Sequence, residues 1–346
     1  MALKSEKRKV EVVTLRSPPP GRYKRILQSV QNIAQASLVT GTVIPSIHLG
    51  LNLNTTVAYS VLAWKCLGRT GPAIVDIVAS PAALFRRRSN LVVDFRTPYP
   101  LELTWLGHRT LASLAGAFER IVGGLEMVFA ANERMALLCS DLGAQRVHVI
   151  PNYPTRGFKP NVPSDKWRVQ HGLAPEAKIA LFTGGVRLRE IYGLDLLLAS
   201  WRMVEDLEPS CVLVILGDTE LEYIGQAVAR MGIRRLRLPG RVDLQGLANW
   251  VNCADLCLAP RTPGFPSAFY DDKDSTKISE YAALEKSILA SGYAPSAQYL
   301  LVDPTLDAFS EGIVKGLEGK IEPARPHYWE ENERTMLSLL EDLWFR

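Results

Sequence analysis

Short runs of β-branched and aliphatic residues recur along the whole chain, each followed by a loop of small residues and then by an amphipathic stretch. VEVVTLR (10–16), IVDIVAS (74–80), LVVDFR (91–96) and RVHVIPN (146–152) are the runs of the first half. KIALFTGG (178–185), CVLVILGD (211–218), RLRLPGRV (235–242), ADLCLAP (254–260) and SILAS (287–291) continue the series in the second. A brief, unbroken apolar run is what a parallel strand covered on both faces requires, so the alternation predicts doubly wound parallel sheets. At 346 residues and 47% apolar composition the chain has material for two cores. The two meet in NYPTRGFKPNVPSDKW (152–167), where Pro, Gly and Asn concentrate. The expected division is an N-terminal Rossmann-like domain over 1–155, a second over 156–325, and a separate C-terminal helix within 326–346.

The stretches between strands read as helices. RYKRILQSVQNIAQASL (22–38) and the start of TLASLAGAFERIVGGLEMVFAAN (110–132) have helical apolar spacing, and further helices begin near 193, 220 and 328. Residues 38–64 are apolar but interrupted by Pro45, His48, Asn52 and Asn54, which argues for a core helix or strand, or an interfacial segment, and against a membrane span. The opening MALKSEKRKVE lacks the apolar run of a secretory signal, so a cytoplasmic protein is expected. Five cysteines, at 66, 139, 211, 253 and 257, suit buried reduced thiols better than a disulfide framework. No second Cys or His pair near Cys253 and Cys257 supports a metal.

Charge is unevenly spread. Residues 1–150 carry 18 Lys and Arg against 9 Asp and Glu, and the remainder carries 22 against 27. The basic half, with clusters at KSEKRK (4–9), GRYKR (21–25) and RRR (86–88), points to an anionic partner such as a membrane surface or a phosphorylated acceptor, or to ordinary solvated charge. Peripheral attachment to the inner face of a membrane is one expectation that follows. Nucleic acid is not expected as a partner.

Two loops have the chemistry of phosphate sites. TGGVRLREIYG (183–193) places Gly184 and Gly185 where backbone can approach a ligand closely, with Arg187 and Arg189 before a helix. It lacks both GxGxxG and GxxxxGK[ST]. DSTKISEY (274–281) opens a helix with Ser275 or Thr276 as the cap, Lys277 as a cation at the same end and Glu280 three residues on, on the same face. Such a start can bind a phosphate at its end and two ribose hydroxyls one turn later. A capping serine beside a solvated Lys277–Glu280 pair would explain the same residues.

The order of motifs resembles the retaining glycosyltransferases of family 4, enzymes with the GT-B fold. The likeness runs from SPPPG (17–21) through AANERMALLCSDLGAQRVHVIPNYPTRGFKP (130–160), TGGVR, ILGD (215–218), LPGRV (238–242), ADLCLAP and STKISEYAAL to ILAS. It implies two Rossmann-like domains facing across a cleft, a nucleoside diphosphate sugar (UDP- or GDP-sugar) on the second, and a glycan or lipid-linked acceptor on the first. It also implies a last helix crossing back to the first domain, and neither a metal nor a further cofactor. On this resemblance Gly184, Gly185, Arg187, Arg189, Ser275, Thr276 and Lys277 would hold the diphosphate, Glu280 the ribose, and Arg241 and Val242 the base. Arg187, Lys277, Asp272, Asp94 and Arg96 would make up the catalytic set.

The chain departs from the family pattern at three places. The paired glutamates become Asp272 and Glu280, the lysine before the glycine that opens the first helix becomes Tyr192, and the strand end that often carries His reads VVDFRTPY, with Asp94 and Arg96. A nucleotide-sugar epimerase or phosphorylase of the same fold, or a non-catalytic nucleotide-sugar scaffold, would share every motif named above.

Overall fold

The computed structural model describes residues 9–15, 21–41, 51–83, 90–122, 124–184, 189–217, 221–262, 264 and 267–344. The chain divides into two compact units, one formed by residues 1–151 with 331–346 and the other by 152–330.

The first unit runs β1 (Lys9–Thr14), α1 (Gly21–Val30), β2 (Gln35–Thr40), α2 (Leu51–Cys66), β3 (Ala73–Asp76), α3 (Ser80–Ala83), β4 (Leu91–Phe95), α4 (Tyr99–Trp105), α5 (Arg109–Val122), β5 (Met127–Ala130), α6 (Glu133–Asp141) and β6 (Arg146–Val149). The second runs α7 (Ser164–Gln170), β7 (Lys178–Thr183), α8 (Arg189–Tyr192), α9 (Leu194–Leu207), β8 (Cys211–Leu216), α10 (Leu221–Met231), β9 (Leu236–Gly240), α11 (Leu244–Cys253), β10 (Leu256–Ala259), α12 (Thr276–Ala283), β11 (Ile288–Ser291), β12 (Leu300–Val302) and α13 (Leu306–Leu317), and α14 (Trp329–Trp344) closes the chain. The sheets have the orders β2-β1-β3-β4-β5-β6 and β12-β11-β10-β7-β8-β9. Every named pairing is parallel.

Burial explains which strands can be read from sequence. The inner strands β3, β4, β5, β10 and β11 are buried at every residue, and each is an unbroken or nearly unbroken apolar run. The rim strands β2, β6, β9 and β12 are only partly covered and carry Gln35, Ser37, Arg146, Arg237 and Pro239. This corrects the reading of 22–38 as one helix. The helix stops at Val30, and QASLVT forms the rim strand β2, paired to β1 from Lys9↔Gln35 to Thr14↔Thr40. IVDIVAS is likewise strand only to Asp76, whose side chain then accepts from Val78 N and turns the chain into a short 3-10 segment. Of the apolar stretch 38–64, residues 38–40 lie in β2 and 51–64 in α2.

Helix starts follow side-chain chemistry. Asn132 caps α6 by accepting from Met135 N at 2.9 Å, and Asp243 caps α11 by accepting from Gly246 N at 2.7 Å. In the second unit Phe182, Leu197, Trp201, Leu213, Ile224, Leu258 and Phe309 belong to one buried cluster joining one face of β7, β8 and β10 to α9, α10 and α13. All five cysteines are buried and free. Among the described residues no helix is long and apolar enough to cross a membrane.

Candidate active site

The strand ends of the second sheet converge on one lysine. β7 ends at Thr183, whose N–H and hydroxyl both lie 2.9 Å from the Tyr281 hydroxyl of α12. This contact holds the helix against the strand and brings its first turn beside Gly184, where an ideal Cβ would lie 3.2 Å from Lys277 Nζ. Lys277 is 8% exposed, and Nζ has no hydrogen-bond partner among the described residues. It rests over two rings, 4.1 Å from the centre of Phe182 and 4.2 Å from that of Tyr192. Burial, reinforced by the charge of Arg261 and opposed by Glu280, holds the amine well below the ordinary lysine value. A solvated Lys277 is therefore not what this fold contains.

The start of α12 is built from outside the helix. Ser275 occupies the N-cap position, but its side chain makes no cap bond, contrary to the capping role expected of it. Its hydroxyl lies 3.5 Å from that of Tyr293. The turn Asp271–Asp274 ties itself instead: Asp274 accepts from Asp271 N at 2.7 Å, Asp271 accepts from Lys273 N at 2.9 Å, and Ser275 N donates to Asp271 O. Asn152, the last residue of RVHVIPN, then clasps the turn. Its N–H donates to Lys273 O at 2.6 Å and its Nδ2 to Thr276 Oγ1 at 2.7 Å, and its own carbonyl accepts from Ser279 Oγ at 3.3 Å. The first-turn amides are left without a serine cap, beside a buried cation. That is the arrangement in which a helix N-terminus binds an anion.

Neighbouring loops are fixed by close backbone approach. Gly193 (φ +59°) begins α9, and a Cβ there would meet the Arg261 carbonyl carbon at 2.9 Å. The Arg261 guanidinium stacks on Tyr270 at 4.0 Å and on Tyr293 at 4.5 Å. Asp272 is buried and accepts from Ser296 Oγ at 2.6 Å. Glu280 is half-buried one turn beyond Lys277. Arg241 is exposed and Val242 half-buried beyond β9, two strands from β7. Gly185 and Arg187 lie outside the described residues, as does the side chain of Arg189, whose backbone starts α8. The clusters at 4–8 and 86–88 and the loop 16–20 are outside them too.

In the first unit Asp94 and Arg96 end β4 inside a charge network. Arg22 Nη2 and Nε donate to the two carboxylate oxygens of Asp94 at 2.6 and 2.8 Å, and Arg22 Nη1 donates to Pro151 O at 3.1 Å. Arg96 Nε lies 3.0 Å from the Tyr23 hydroxyl and 3.5 Å from Asp94, and its Nη2 lies 3.4 Å from both oxygens of Asp76. Two cations thus meet two carboxylates. Arg22, taken from the sequence as part of a basic surface cluster, is buried.

Sequence reasoning brought Gly184, Lys277 and Glu280 to one place and missed Asn152, Tyr281, Arg261 and Tyr293. Asn152 and Tyr281 end the quoted motifs RVHVIPN and DSTKISEY, so position was the available signal. Among the described residues no group of three or more His, Cys, Asp or Glu side chains can hold a metal ion.

No protein-family model matches the chain, and no curated protein matches it. Solved structures do. Sucrose-phosphate synthase from Thermosynechococcus elongatus superposes with a TM-score of 0.73 at 13% identity, covering 98% of this chain and 100% of that one. WaaG, a glycosyltransferase involved in lipopolysaccharide biosynthesis, matches with a TM-score of 0.66 at 14% identity over 97% and 96% of the two chains. HepE from Anabaena, in complex with UDP-glucose, matches with 0.61 at 12% over 97% and 98%. The fold is that of the GT-B glycosyltransferases.

Proposed function

We propose that this protein is a retaining glycosyltransferase that moves a sugar from a nucleoside diphosphate sugar to an acceptor hydroxyl. The observation that carries the reading is Lys277, a buried amine without a hydrogen-bond partner among the described residues, at a helix start with no side-chain cap and lying against Gly184. Those groups suit the two phosphates of a donor, and Glu280, one turn on, suits the ribose hydroxyls. HepE, of the same fold, binds UDP-glucose, which favours a UDP-sugar over a GDP-sugar here.

The reaction asks for positioned charge. The bond from the anomeric carbon to the phosphate oxygen breaks, negative charge grows on the departing diphosphate, and cations already aimed at it lower the barrier. The acceptor hydroxyl attacks from the face the leaving group vacates and passes its proton to a phosphate oxygen, so configuration is retained without a protein nucleophile. Lys277, with Arg187 and Arg189 from the preceding loop, would meet the diphosphate. Arg241 and Val242 would flank the base, and no metal is invoked. Asp272 and the pair Asp94–Arg96 are assigned to the sugar and acceptor side by the family pattern alone. The excess positive charge of residues 1–150 favours a lipid-linked or otherwise anionic acceptor, reached from a membrane surface on its cytoplasmic side.

Calorimetry with UDP, GDP and their sugars, beside assays of donor hydrolysis and transfer, tests this reading. We expect one diphosphate to bind and its sugar to turn over, and Glu280→Ala and Lys277→Ala to abolish transfer in folded protein. Tight binding without turnover would instead indicate a scaffold, sugar isomerisation an epimerase, and phosphate-dependent cleavage a phosphorylase. Near wild-type activity in both variants would overturn the site.

A further inference from the structure

A diphosphate-binding role explains why Lys277 is present but not how its amine endures an empty site. An ammonium has three donors and no acceptor, and Nζ here finds no hydrogen-bond partner among the described residues. What it has is the ring faces of Phe182 near the end of β7 and Tyr192 at the end of α8, with Nζ 4.1 and 4.2 Å from their centres. Ring faces attract a cation, and they also accept N–H groups from a neutral amine. A seat of this kind tolerates both charge states, whereas a carboxylate partner would lock in one. The charged groups that act on Nζ are Arg261, from the loop after β10, and Glu280, on α12 itself. Among the described side chains of α8, the phenol of Tyr192 lies beside it, and the side chains of 185–190 lie outside the described residues.

Building on the donor-site reading, we infer that Phe182 and Tyr192 are positioning residues that seat Lys277 for a coupled step, in which a diphosphate and one proton bind together. Tyr192 stands where the family pattern has a lysine. In this chain one fixed cation is thus exchanged for a ring that holds a second cation ready. Burial and Arg261 favour the neutral amine in the empty site, in line with its lowered pKa. An entering phosphate supplies the missing acceptor and counter-charge, and the amine takes its proton from solvent. No covalent bond changes, and the proton balance closes at one per ligand.

The test has two arms on the full-length protein. In the first, lysines labelled with ¹³C at Cε are titrated by NMR, and the Lys277 resonance is identified by its loss in Lys277→Arg. It should titrate below all other lysines in the free protein and move upward when UDP is added. Tyr192→Leu, which keeps the seat apolar but removes a ring face that favours the cation, should lower it further, whereas Tyr192→Phe should keep the wild-type value. In the second arm, UDP and GDP binding is measured by calorimetry across the pH range that the first arm brackets, in buffers of low and high ionisation enthalpy. Wild type should take up one proton and lose affinity by up to about tenfold per pH unit in the window between the free and bound values. Lys277→Arg should bind without uptake, and Tyr192→Leu should bind at least about tenfold more weakly. Ordinary titration of Lys277 in the free protein, or binding with no proton uptake, would overturn the inference while leaving the donor site standing. A low-titrating Lys277 in a protein that ignores both diphosphates would instead sink the donor reading, and the coupled step with it.

Discussion

Gly217 faces Gly184 so closely that a Cβ on Gly217 would lie 1.9 Å from the Gly184 carbonyl oxygen, and the Gly217 φ of +139° is one that side chains rarely adopt. The two residues end neighbouring strands β8 and β7, and Gly184 N also donates to Leu216 O at 3.0 Å. Gly217→Ala must therefore displace Gly184, which lies against Lys277, and accept backbone strain of about 1–3 kcal/mol. We expect a lowered melting temperature and at least about tenfold weaker diphosphate binding, compared by calorimetry with a Gly225→Ala control. Gly225 lies in α10, and an added methyl there meets nothing within 4 Å.

The pair Arg22–Asp94 is buried on both sides. Removing one partner strands a charge, so Arg22→Met or Asp94→Leu should each cost about 3–5 kcal/mol, and the double replacement should recover much of it. Urea unfolding followed in the first unit checks this. A single variant with unchanged stability and no transfer activity would show that Asp94 serves chemistry and not architecture.

Asn152→Ala removes the bond to Thr276 Oγ1 and leaves a turn with fewer partners. A loss of about 1–3 kcal/mol is expected, with donor affinity falling alongside it because the same bond fixes the start of α12. Asn152→Leu, which keeps the volume but neither donor nor acceptor, should not rescue either quantity.

Glu119 of α5 is 7% exposed, and its Oε1 has no hydrogen-bond partner among the described residues. Burial pushes its carboxyl up from 4.5 to about 7, with the nearby Glu102 adding to the effect. The folded protein then keeps a proton that the unfolded chain has already lost. Stability attributable to this group is present at low pH, declines as pH rises from about 4.5 to 7, and is flat above that. Glu119→Gln should remove that slope, raising the melting temperature at pH 8 relative to wild type and changing it little at pH 4.

What sequence reasoning could see follows from how locally each feature is determined. Inner strands such as LVVDF are covered on both faces, so their composition alone marks them. The rim strand QASLVT is half-solvated and merges with the helical spacing before it. Lys277 and Glu280 announce themselves because an anion site at a helix start needs only one turn of chain. Arg22 reads as one of three surface cations because its partner Asp94 is 72 residues away. Asn152 is bound to a helix start 124 residues on, so pairing reveals its role where spacing does not. The burial of Lys277 was hidden for the same reason, since the rings that enclose it come from two other elements.

Both sheets finish, on each side, in strands that are poor templates for another chain. β2 presents Gln35 and Ser37 outward, β9 carries Arg237 and Pro239, and β12 exposes its first residue. Unpaired amides along such margins would otherwise recruit neighbours into growing fibrils, and polar or proline-bearing margins deny that growth a foothold. Swapping Gln35 and Ser37 for valine would leave the interior untouched yet make the concentrated protein prone to stacking edge to edge, so the least apolar strands here guard solubility.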